Sequence, residues 1–127
     1  MNPQDRRRFD EHLEAVLADL PEAIHRRLEE VPVIVEDLPS REHLADLGEP
    51  MPAQSLMGLH HGVPLTERGE LAEPLLPDRI MIFREPIWRA AGGDGPELRR
   101  QVRITLLHEI GHHFGLDEDD LEELGYQ

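Results

Sequence analysis

Cysteine is absent from all 127 residues. That excludes disulfide staples, zinc–thiolate sites and cysteine nucleophiles, so any metal must be held by His, Asp or Glu. Positive charge is scarce: 13 Lys and Arg stand against 27 Asp and Glu, for a formal net charge of -14. Such a balance disfavours binding to a phosphate backbone. Aromatic residues make up only 4% of the chain, which leaves little for base stacking, and no nucleic-acid partner is expected. Long apolar runs are missing as well. Arg6-Arg7-Arg8 is followed by no stretch with the length of a signal peptide or a membrane span. No membrane partner is expected, and a cytoplasmic location is the default. The length fits a single domain over residues 1–127.

What the chain does contain is punctuated apolar periodicity. Phe9, Leu13, Val16, Leu17 and Leu20 recur at three- and four-residue spacing and predict a helix over residues 5–20, with Asp5 as cap. Pro21 opens a second, short helical piece through Arg27 and Leu28, in which Ile24 and Leu28 extend the same stripe. Val31–Val35 reads as a strand, with Pro32 at its start or on an edge. Residues 38–54 read as a connection in which Ser40 and His43-Leu44-Ala45 form a helical turn. Leu56–Val63 is a second strand weakened by Gly58 and Gly62, residues 64–78 form a long loop, and Arg79–Phe83 is the strongest strand, ended or bent by Pro86. After a turn at 91–95, Pro96 suits the first position of a helix over Glu97–His113. Leu98, Val102, Leu106 and Ile110 form its apolar face, which Ile104 and Leu107 widen. Gly115 is the natural C-terminal break, and a last short helix turns Leu121 and Leu124 inward.

That long helix carries His108-Glu109-Ile110-Gly111-His112. On a helix the two histidines of an HExxH sequence lie on one face and can share a divalent ion, with the glutamate beside the water the ion activates. Neutral imidazoles are suitable zinc ligands, so His108 and His112 are the candidate Zn2+ ligands and Glu109 the candidate general base. The competing account is two polar positions above a core face. His113 points about 100 degrees away around the helix, so it should pack or hydrogen-bond rather than ligate. A third ligand is needed, and Asp117, Glu118, Asp119, Asp120, Glu122 and Glu123 follow the Gly115 turn. Glu118 fits best, because a carboxylate three residues past the glycine can swing back over the histidines. Asp117, Asp119 and Glu122 remain alternatives.

The extended motif His108–Glu118, with its HExxHHFG core and acidic run, the closing Leu124-Gly125-Tyr126, and the upstream segments Gly62–Gly69 and Leu76–Ile80 resemble the small bacterial zincin-like metallopeptidases. The likeness implies an α+β fold, a minimal zincin core. In it a small mixed sheet packs with N-terminal helices and a C-terminal HExxH active-site helix behind an edge strand. It also implies that His108 and His112 bind zinc and Glu109 acts as base. The spacing is similar to the longer metzincin signature too, whose last position is His or Asp. Here that position is Glu118, and no methionine follows the motif, so the methionine turn of that clan is absent.

The function expected is zinc-dependent hydrolysis of a peptide or protein substrate, with Glu109 passing a proton from water to the leaving amine. His60, His61, Arg79, Arg84 and Tyr126 are candidates for a second oxyanion donor. Ile80–Phe83, if it forms an exposed edge, offers backbone for pairing with an extended peptide. The alternatives are a metal-binding or interaction domain without catalysis, and a zinc hydrolase of a non-peptide amide.

Overall fold

A computed structural model describes residues 1–47, 51–61 and 79–123. Helix α1, Pro3–Ala18, starts from Asn2, whose side-chain oxygen accepts the Asp5 N–H at 2.8 Å. Asp5 is therefore not the cap but a donor in the first turn. The helix begins earlier than its apolar stripe because Pro3 fits a first turn whose N–H groups have no helical partner. Phe9, Leu13, Val16 and Leu20 are buried, and Ile24 of α2 (Glu22–Leu28) continues the same buried surface.

Strands β1 (Val33–Glu36), β2 (Gly58–His61) and β3 (Arg79–Phe83) form a mixed sheet in the order β1-β3-β2. β1 runs parallel to β3 and β2 antiparallel to it. Pro32 just precedes β1, where its carbonyl accepts the Ile80 N–H at 2.9 Å and its missing donor costs nothing on an edge strand. The expectation that Ile80–Phe83 forms an exposed edge is wrong. β3 is the central strand, and all four of these residues are buried. Both faces of β3 are covered, which is why it reads as a continuous apolar run. Ile80 and Ile82 join the main core with α1 and α5, while Met81 and Phe83 pack with Leu56 on the other face. On that second side α3 (Arg41–Asp46) is closed by a capping box between Ser40 and His43.

β3 passes directly into α4, Arg84–Ala91, a helix absent from the sequence reading. Pro86 marks not a break but the first turn, where a missing N–H is tolerated. Gly92, at φ 63, ends α4 in the left-handed conformation. Helix α5, Gly95–Phe114, is capped by Asp94, which accepts the Glu97 N–H at 3.2 Å. Leu98, Val102, Leu106, Leu107 and Ile110 are buried, but Ile104 stays exposed and does not widen the face. Gly115, at φ 68, stops the helix as expected. The chain then folds back onto Gly111: the Leu116 N–H bonds the Gly111 carbonyl at 2.7 Å. A Cβ at Gly111 would lie 3.0 Å from the Leu116 carbonyl oxygen. Helix α6, Glu118–Glu123, follows with Leu121 buried. The expected loop over 64–78, and Leu124 with the closing Leu-Gly-Tyr, lie outside the described residues. Among the described residues no helix is long and apolar enough to cross a membrane.

Candidate metal centre

Residues 108–112 occupy the end of α5. His108 and His112, one turn apart, are both exposed, whereas Glu109 is buried at 8% exposure. The difference follows from rotation around the helix: Glu109 lies about 100 degrees from His108, on the side that meets β2. Strand alternation sends Gly58 and His60 toward the same face. Gly58 lets α5 approach closely, because a Cβ there would fall 2.6 Å from Thr105 Cγ2 and 3.2 Å from Glu109 Cγ. One step along, the main chain of His60 faces the Glu109 carboxylate and favours its ionised form. Burial pushes the Glu109 carboxyl above its ordinary value. The neighbouring His108 and His112 charges and the His60 main chain pull the other way without cancelling it.

His113 is buried at 3% exposure, and its Nδ1 lies 2.8 Å from His60 Nε2. It packs and hydrogen-bonds, as its position on the helix predicts. The His60 ring also meets His112 nearly edge-on, with centroids 5.2 Å apart and planes at 71°. Three imidazoles from β2 and α5 are thus in mutual reach.

The two exposed imidazoles suit a borderline divalent ion in donor type and spacing. Among the described residues, no group of three or more His, Asp or Glu side chains is gathered to hold one. Asp117 and Asp120 are instead committed to each other's main chain. Asp117 Oδ1 accepts the Asp120 N–H at 2.8 Å, and Asp120 Oδ2 accepts the Asp117 N–H at 3.0 Å, a reciprocal cap for α6. Asp119 and Glu122 are exposed and do not join the histidine pair. Glu118 opens α6, but its side chain lies outside the described residues.

The oxyanion candidates separate clearly. Arg84 is ruled out by its partners: its Nε binds Asp10 at 2.9 Å and its Nη1 binds Asp37 at 3.1 Å. Arg79 pairs with His61 in the sheet register. The His61 side chain and Tyr126 lie outside the described residues. His60 alone of the five is placed against the motif by described contacts. The contacts of Gly58 and His60 with α5 went unread in the sequence, although His60 was named as an oxyanion candidate. A glycine inside a strand and a histidine two positions on were the available signal, but their partners on α5 are some 50 residues away.

A family model described as zincin-like metallopeptidase matches residues 28–126. No curated protein matches the chain. The match takes in the whole mixed sheet, α4, α5 and the HExxH segment, and the chain belongs to the zincin-like metallopeptidase family.

Proposed function

We propose that residues 1–127 form one domain that hydrolyses peptide bonds as a zinc-dependent metallopeptidase. His108, His112 and Glu118 hold the metal, and Glu109 is the general base. One observation carries this reading. Two exposed histidines on successive turns flank a buried carboxylate whose proton affinity is raised by its surroundings. Zinc, when bound, supplies an acidified water and a Lewis acid for the scissile carbonyl. Glu109 takes the proton of the attacking water and delivers it to the leaving amine. A carboxylate that takes the proton as a base can return it as an acid. Among the described residues, β2 pairs on one side only, with β3. Its other edge, next to the motif, suits an extended peptide held by main-chain hydrogen bonds. This replaces the Ile80–Phe83 edge, whose two sides are both taken.

The test is Glu109→Gln, assayed for zinc content and for cleavage of a peptide library. The variant should retain zinc and lose hydrolysis by roughly 100- to 10,000-fold. An unchanged rate rejects Glu109 as the base. Zinc binding by the wild-type chain without turnover of any peptide would make it a metal-binding or interaction domain. Turnover confined to non-peptide amides would make it a hydrolase of that class.

A further inference from the structure

We infer that His60 is a positioning residue of the metal centre: its ring, clamped by His113, sets the orientation of His112. The inference deepens the proposed function and rests on it.

Among the described residues of the sheet, His60 is placed against the end of the HExxH segment by its ring. Its ring abuts the His112 imidazole at 5.2 Å in an edge-on arrangement. The ring cannot swing away from that contact, because Nε2 lies 2.8 Å from His113 Nδ1 and both rings are buried. In that pair one nitrogen must donate and the other accept, so the bond fixes the tilt of both rings as well as their separation. His112 is exposed on the last full turn of α5, where an imidazole samples more than one rotamer. A rigid neighbour that narrows this sampling lowers the ordering cost of ligation, as outer partners of metal-bound histidines commonly do. Gly58 makes the arrangement possible by bringing β2 against α5. His60 needs no contact with the metal for this role.

The experiment compares the wild-type chain with His60→Gln and His113→Gln. Zinc affinity is measured by competition with a chromophoric chelator, the cobalt-loaded visible spectrum is recorded, and the metal-free protein is melted. His60→Gln keeps an amide for His113 but removes the ring beside His112. It should weaken zinc by about 10-fold or more and alter the cobalt bands. His113→Gln, which loosens the clamp from outside, should weaken zinc in the same direction by less, and it serves alone if His60→Gln does not fold. Folded variants with wild-type zinc affinity and an unaltered cobalt spectrum overturn the inference, even if their melting temperatures fall, since that pattern marks packing alone. If the wild-type chain takes up no zinc, the proposed function and this inference fall together. If it does and the variants match it, only the inference falls.

Discussion

Asp37 receives two guanidinium groups, Arg6 at 2.6 Å and Arg84 at 3.1 Å, and the N-terminal ammonium stands 3.8 Å away. The Arg6 hydrogen bond leads in holding its pKa down to about 2, against a burial effect that opposes it. Glu109, on the other side of the fold, is pushed the opposite way, because burial dominates and only histidines and the main chain of His60 oppose it. Asp37 ties α1 to the β3–α4 junction and is stabilised as an anion. Glu109 is kept where its anion is strained, and such a carboxylate takes up a proton readily. Two acidic groups, one partly exposed and one buried, thus divide into a structural tie and a candidate base, according to whether an arginine reaches them.

The contrast can be broken most forcefully at Asp37. Asp37→Ala leaves Arg84 and Arg6 without their shared partner and should cost about 2–3 kcal/mol, read as a melting temperature lowered by roughly 10 °C. A melt within a degree of wild type would mean the tie is ornamental. Acid sharpens the same point. The folded pKa of Asp37 lies below the unfolded value of 3.8, so its stabilisation is complete above that value and is lost as pH falls toward about 2. Chemical denaturation at successive pH values should show a loss of about 1–2 kcal/mol over that window, discounted for the part of Asp37 that meets solvent. Glu109 should give the opposite slope. Its folded pKa is raised, so the native state binds more protons just above 4.5, and stability declines as pH rises through that range. The smallest expected effect is therefore a gain. Glu109→Gln in the metal-free protein should be as stable as wild type at neutral pH or more stable by up to about 1 kcal/mol, and should flatten that slope. A clear loss of stability would mean the Glu109 anion is structurally required.

Helices were legible where caps and periodicity agreed. Pro96 and Gly115 frame α5 by rules that act within a few residues, and the HExxH spacing places both histidines on one face of it. Legibility failed where one residue had two meanings. Pro86 reads as a breaker, yet it serves equally well in a first turn, so α4 was missed. Arg79–Phe83 reads as a strand, but its rank within the sheet depends on which other strands pair with it. In the candidate centre the histidine pair and its glutamate were evident from spacing. The competition among the acidic residues was not, because Asp117 and Asp120 are settled by their own reciprocal cap.

Local order was written in the chain itself: the limits of α5, the shared face of His108 and His112, and the absence of thiol chemistry all follow from composition or from interactions spanning a few residues. The tertiary structure decided what those interactions cannot reach. It placed β3 at the centre of the sheet, drew Asp37 to its arginines, and set Gly58 and His60 against Glu109, His112 and His113. These outcomes depend on burial and on contacts between segments distant in sequence, where no local periodicity carries a signal.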